Sequence, residues 1–400
     1  MSSGASEIPA AASSAISLRK VAAWRGIRVL AWDGDVLYAC RGYQIVRLHT
    51  ARLGGHSTNN EEWEPVADFR PVWWRNITSR STLTYRVVRD GFHALAILGD
   101  NIMVAAVAGA IVTRAPASAE FRPTHQVRRG TRPLHITAVP SGNIYWGEYF
   151  GNRERAEVHI YASADRGQTW HVAYTFPAGA IRHVHNIVYD RWADCLWILS
   201  GDEGAECKVL RASCDLRSVE TVLSGNQQAR AVAAIPTEDA LYLATDTPFE
   251  HNHVLRLDRT GRVEPVAGLA SSSIFGCRTA SALFFSTMVE PSPANRTREV
   301  HLAGSADGTN WQVVARWQKD ALPMRYFQYG NAMLPAGENT TNYLAATTIA
   351  VKQDDLVTTL WQVGARTENP ELRTESTQPT AESRDPRPES REPKAKSRIP

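Results

Sequence analysis

Short β-rich runs recur along this chain, each just after a polar turn, and that rhythm constrains the fold more than anything else in the sequence. Val36–Cys40, Ile102–Ala106, Ile144–Trp146, Leu196–Leu199, Leu241–Ala244, Leu283–Ser286 and Tyr343–Ala346 are the clearest runs. Turns such as Asp33-Gly34-Asp35, Ser141-Gly142-Asn143 and Thr237-Glu238-Asp239 precede them, and a further apolar run lies ahead of each turn, as in His93–Leu98 and Ala231–Ile235. The spacing is about 40 to 60 residues, the period of four-stranded blades, and helical periodicity is scarce. An all-β propeller follows, with seven candidate blades, or six if one segment is misread. The 43% hydrophobic content supplies an ordinary globular core.

The composition changes at both ends. Residues 1–19 are small and polar, and residues 365–400 are rich in Pro, Ser, Glu and Arg. From Arg366 onward eight basic side chains face seven acidic ones. Such a polyampholyte has too little apolar surface to offset its ordering entropy, so disorder is expected in both segments, with the propeller spanning 20–364. The C-terminal tail is also a candidate docking segment for a protein partner. A net charge of +3 does not point to nucleic acid or an anionic membrane. No apolar run approaches the roughly 20 residues that span a bilayer. No secretory n-region and h-region stand at the start, and five scattered cysteines lack CxxC spacing, so buried thiols and a cytoplasmic location are expected.

One repeat is more specific. Ser163, Asp165, Gly167, Thr169 and Trp170 form the pattern S-x-D-x-G-x-T-W, and Ser305–Trp311 is a shortened copy. Decayed copies stand at Ser213-Cys214-Asp215 and Leu257–Gly261. Asp and Ser suit bonding across a tight turn, Gly suits a positive φ, and Trp suits packing between sheets. The pattern resembles the BNR/Asp-box superfamily of sialidases and other glycan-active propellers. The resemblance implies that the boxes are structural, on turns between third and outer strands, and that a ligand site lies on the opposite face.

On that opposite face the second strands end in Glu148, Asp202, Asp246 and Glu290, one acid in each of four successive blades. The inner strands begin with His135, His183, His185, Asn186, Gln228 and Arg230, and Gln328 is a later counterpart. These residues are expected to converge at the channel mouth on a glycan or other small polar ligand. The resemblance implies a sialidase-like glycoside hydrolase, with Glu148, Asp202, Asp246 and His185 as catalytic candidates and Tyr149 beside Glu148 as a nucleophile pair. His135, Tyr149, His183, Asn186, Gln228, Arg230, Glu290 and Gln328 would bind substrate. A sialidase also requires three arginines; Arg230 is one candidate, and Arg278 and Arg325 are weaker ones. A non-catalytic glycan- or protein-binding propeller and a polysaccharide lyase are the alternatives. No cofactor is required, but His183 and His185 point the same way along a strand and, with His135 or Asp202, offer a divalent-metal site. Trp73-Trp74 is read as cover for the first blade, with stacking on a sugar ring as the alternative.

Overall fold

The computed structural model describes residues 15–53 and 62–366; residues 1–14 and the tail from 367 to 400, where disorder and docking are expected, lie outside them. Among the described residues seven sheets form a β-propeller, and the seven-blade count stands against six. Blade 1 is β2 (Arg28–Gly34), β3 (Val36–Arg41), β4 (Gln44–His49) and β5 (Glu64–Asp68). Blade 2 is β6 (Ala94–Ile97), β7 (Met103–Val107), β8 (Ala110–Arg114) and β9 (Arg122–Gln126). Blade 3 is β10 (Thr137–Ala138), β11 (Ile144–Gly147), β12 (Val158–Ser163) and β13 (His171–Phe176). Blade 4 is β14 (Val184–Asp190), β15 (Cys195–Ser200), β16 (Lys208–Ser213) and β17 (Val219–Ser224). Blade 5 is β18 (Ala231–Pro236), β19 (Ala240–Thr245), β20 (Asn252–Asp258) and β21 (Val263–Leu269). Blade 6 is β22 (Ser273–Arg278), β23 (Leu283–Thr287), β24 (Glu299–Ser305) and β25 (Gln312–Gln318).

Blade 7 is assembled from both ends of the chain. Its inner three strands, β26 (Asn331–Met333), β28 (Tyr343–Ile349) and β29 (Val357–Arg366), come late in the sequence, and its outer strand is β1 (Ala15–Arg25). β1 runs antiparallel to β29 from Ala15 opposite Arg366 to Arg25 opposite Val357. Residues 15–19, assigned from composition to the N-terminal segment, therefore belong to the ring. A short strand, β27 (Ala336–Asn339), adds to blade 1 in parallel with β2.

The second strand of a blade is covered on both faces by its neighbours, so it reads as an unbroken apolar run rather than an alternating one. β7, β15 and β19 are buried at every position, whereas the outer strand β13 is mostly exposed or half-buried. A separate apolar cluster fills each of the seven interfaces between blades. The box segments join third to outer strands, as Ser163–Trp170 does between β12 and β13. Asp165 accepts from the backbone N–H groups of Gln168 and Thr169, while Ser163 Oγ accepts from Gly167 N–H. Burial opposes ionisation of Asp165, but these bonds and those from the Thr169 and Ser163 hydroxyls pull its pKa down to about 2. Trp170 then donates to Thr124 of blade 2.

The ring closure yields a test. Trp24 on β1 is buried edge-to-face against Trp63, with ring centroids 5.2 Å apart. Trp24→Ala is expected to cost about 3–5 kcal/mol by loss of that burial, read as a lower urea midpoint. A change under 1 kcal/mol would show that β1 is dispensable for closure.

Candidate functional site

The inner strands start, and the second strands end, on the face opposite the box turns. The structure divides this mouth into an acidic half and a basic half. In the acidic half, the Asp202 carboxylate lies 3.0 Å from Arg182 Nη1, 3.5 Å from His183 Nε2, 3.3 Å from His185 Nε2 and 3.4 Å from Arg230 Nη2. Burial alone would favour the neutral acid, but hydrogen bonding and charge from His183 and His185 hold Asp202 well below the usual carboxylate range. Arg230 Nη2 also reaches Asp246 at 3.3 Å. Asp246 is buried with Oδ1 unpartnered, and its pKa is pushed up to about 7 by burial, against the pull of Arg230 and with the repulsion of Glu290 and Asp202. Tyr149 tilts over His183 with ring centroids 4.3 Å apart. His135, close enough to His185 to feel its charge, is pushed down to about 4, mainly by burial.

Asp202, Asp246, Glu290, Arg230, His183, His185, Tyr149 and His135 are thus neighbours, but four sequence candidates are not part of this cluster. Glu148 is turned aside: Arg129 Nε donates to it at 2.8 Å, and His159 contributes its backbone N–H at 2.9 Å and its ring at 3.1 Å. The Tyr149–Glu148 nucleophile pair therefore does not assemble. Asn186 donates to Val232 O and ties blade 4 to blade 5. Gln228 bonds Glu250 and the His251 carbonyl on the loop ahead of β20, and the His253 ring within β20. Gln328 donates to the carbonyls of Tyr85 and Arg86 and anchors a helical segment.

Two glycines explain why the blade-3 and blade-4 acids part company. Gly201 has φ +87°, and a Cβ there would lie 1.9 Å from Glu206 O, so the backbone reverses just ahead of Asp202. Gly147 carries no positive φ; it is small because Val184 Cβ comes within 2.4 Å of where its own Cβ would stand. The chain then continues extended, Glu148 N–H donates to His159 O, and the carboxylate stays on its own blade.

The basic half lies over blades 1 to 3. Helices α1 (Trp73–Thr78) and α2 (Thr82–Val88) sit on this face between β5 and β6, in a stretch the sequence leaves irregular. Beneath them is a cavity of about 1190 Å³, with Arg28, Arg41, Arg70, Arg80, Tyr43 and Trp73 among its lining residues, beside the carboxylates Asp68, Asp90 and Glu120, the last paired with Arg70 at 2.7 Å. Trp73 is 77% exposed and so does not cover blade 1; Trp74 is 40% exposed, its ring 4.5 Å from the Arg75 guanidinium. Arg28 begins β2 and is only 5% exposed. It donates to Phe92 O, contacts Cys40 Sγ at 3.4 Å and lies 4.8 Å from the Tyr85 ring centroid, while Nη1 has no partner. No carboxylate of the described residues lies within 4 Å of it. Burial, with like charge from Arg28 and Arg89 and against the opposing effect of Tyr85, pushes Arg132 down to about 10. Burial and the charges of Arg132 and Arg28 hold His93 well below its ordinary value. Sequence reasoning missed this cluster, because Arg28 and Arg132 are over 100 residues apart; their place at or just before inner strands was the available signal. Arg278 instead lies 5.1 Å from the Trp192 ring centroid, and Arg325 5.6 Å from that of Tyr326.

These features define a seven-bladed β-propeller with a charge-divided mouth. No family model matches the chain, and no curated protein matches it. Among solved structures it is similar to the WD40 β-propeller domain of Doa1, at 9% identity and TM-score 0.51, covering 87% of this chain and 95% of that one. It is also similar to the β-propeller domain of Cps50 (Swd1) from Myceliophteria thermophila, at 10% identity and TM-score 0.52, covering 86% and 99%. At such identities the likeness speaks for the fold alone. No helix of the described residues is long and apolar enough to cross a membrane.

Asp246 generates a pH prediction. Its folded pKa, about 7, lies above the ordinary 3.8, so the native state binds the extra proton and loses stability as pH rises from about 4 to 7. Asp246→Asn is expected to flatten that slope and to raise the melting temperature relative to wild type at pH 8 more than at pH 4. An equal shift at both pH values would show that Asp246 is not held neutral. Gly201→Ala, in contrast, should destabilise the fold and displace Asp202, seen as altered ring chemical shifts of His183 and His185; unchanged resonances would contradict the turn argument.

Proposed function

We propose that the protein is a carbohydrate-binding propeller whose ligand carries an anionic group, a uronate or related acidic sugar. The observation that carries this reading is the buried Arg28 guanidinium, unpaired at Nη1 and without a carboxylate partner, in the wall of a cavity with an exposed tryptophan among its lining residues. A buried charge left unpaired costs several kcal/mol, and a ligand carboxylate would supply both the countercharge and the missing acceptor. Trp73 offers a flat apolar face on which a sugar ring stacks, and Arg41 and Arg80 add positive charge to the lining. The S-x-D-x-G-x-T-W turns support a sugar over other anions, since they resemble those of the BNR/Asp-box superfamily of glycan-active propellers. A protein partner is the other ligand class that a propeller face accommodates.

Hydrolysis is the second reading, favoured by one observation: Asp246, a carboxyl whose pKa is pushed up to about 7, shares Arg230 with Asp202, which is held well below the usual carboxylate range. Two carboxyl groups with separated pKa values suit acid and base roles. The displaced Glu148 removes the sialidase-type nucleophile pair, so binding is placed first.

Titration calorimetry against oligogalacturonate, sialyllactose and neutral cello-oligosaccharides tests the proposal. Binding of an acidic oligosaccharide, weakened by added salt and reduced at least tenfold, or about 1.4 kcal/mol, by Arg28→Gln and by Trp73→Ala, is expected. Equal affinity for neutral sugars, or no effect of either substitution, would overturn it. Release of reducing sugar by wild type but not by Asp246→Asn would promote the hydrolase reading.

A further inference from the structure

We propose that His183, His185 and Asp202 form a binding site for one divalent transition-metal ion, of the zinc class, at the mouth of the propeller channel. His183 Nδ1 is 2.9 Å from Phe150 O, and His185 Nδ1 is 2.9 Å from Ala231 O. A carbonyl only accepts, so each Nδ1 carries the hydrogen, and a ring holding that proton alone presents its lone pair at Nε2. The two Nε2 atoms face each other at 3.1 Å, and the Asp202 oxygens lie 3.5 and 3.3 Å from them. In that tautomer two imidazole lone pairs and a carboxylate converge on one point, where a bound cation takes the place that protons on Nε2 would otherwise fill.

The geometry fits such an ion. Separations of 3.1 to 3.5 Å are the edges expected around a metal that holds nitrogen and oxygen ligands at about 2.0–2.2 Å. Ligating histidines characteristically donate the other ring N–H to a backbone carbonyl or carboxylate, which fixes tautomer and orientation; both rings here are pinned in that way, from two different parts of the chain. Two imidazoles and one carboxylate suit Zn²⁺, Co²⁺ or Ni²⁺ better than the all-oxygen preference of Mg²⁺ or Ca²⁺.

Arg182 and Arg230 also touch Asp202, and neither removes the site. Each carboxylate oxygen has two lone pairs, so each can accept one guanidinium hydrogen and still ligate. Arg230 is in turn offset by Asp246 and Glu290. An ion there would leave coordination positions for solvent or ligand, because the chain supplies three donors.

The test uses the full chain after dialysis against chelator. Zn²⁺ titration at pH 7.5 by calorimetry is expected to show one site per chain with micromolar or tighter affinity. Co²⁺ is expected to give visible absorption bands of a low-coordinate nitrogen–oxygen site. His183→Gln and Asp202→Asn should each weaken Zn²⁺ binding at least a hundredfold, with circular dichroism and melting of the metal-free variants confirming that they fold. ¹⁵N–¹H spectra of the metal-free protein should show both rings with the hydrogen on Nδ1, and Zn²⁺ should shift Nε2. No Zn²⁺ binding below millimolar concentration would overturn the proposal. So would binding that survives both substitutions, or a proton resident on either Nε2 at pH 7.5, which would make the cluster a proton-sharing histidine pair instead.

Discussion

Backbone pairing between β1 and β29 joins residues more than 300 positions apart, and the geometry of the channel mouth rests on it. A blade of four strands has two apolar faces and is stable only when each is covered by a neighbour, so a ring with an open seam would expose two of them. The seam here is closed by the first strand of the described chain. Trp24, Ile27 and Val29 then pack with Leu360 and Ala345 into the cluster between blades 7 and 1. Arg28 follows directly, between Ile27 and Val29 at the start of β2, where it turns toward Cys40, Phe92 and Tyr85.

The mouth that results carries charge in an uneven pattern. Around blades 4 to 6, carboxylates and guanidiniums are paired, with Arg230 bridging Asp202 and Asp246, although Asp246 Oδ1 and the Nε atoms of Arg182 and Arg230 have no partner. Around blades 1 to 3, Arg28 and Arg132 approach one another without acidic partners, and each depresses the titration of His93. Buried like charges are tolerated where function requires them, and perturbed groups gather at such sites. The guanidiniums of the acidic half have carboxylate partners, whereas Arg28 and Arg132 of the basic half have none within 4 Å among the described residues. That difference decides which ligand charge each half can accept.

Much of the fold was legible in the sequence because the second strands are buried on both faces, so that Leu196–Leu199 or Leu241–Ala244 stand out as compact apolar runs. Inner strands were harder: β10 is only Thr137–Ala138, too short to carry a pattern. Helices α1 and α2 escaped notice because Val72, Trp73, Ile77, Leu83 and Val87 face outward, which spoils an amphipathic pattern. The site was legible in part. Counting acids at strand ends brought Asp202, Asp246 and Glu290 to one place, but it included Glu148 wrongly. Gly147 and Gly201 look identical in sequence; one makes room for Val184 and the other reverses the backbone. The arginines were missed for a related reason, since Arg28, Arg89 and Arg132 meet only when blades 1 to 3 stand side by side.

The central claim is that the basic half of the mouth, not the acidic half, receives an anionic group of the ligand. A crystal structure of the protein soaked with a uronic acid oligosaccharide tests it most directly. The account predicts a carboxylate hydrogen-bonded to Arg28 Nη1, with a sugar ring against Trp73. A carboxylate bound instead at Arg182 and Arg230, or an Arg28 Nη1 already satisfied by the protein, would contradict it.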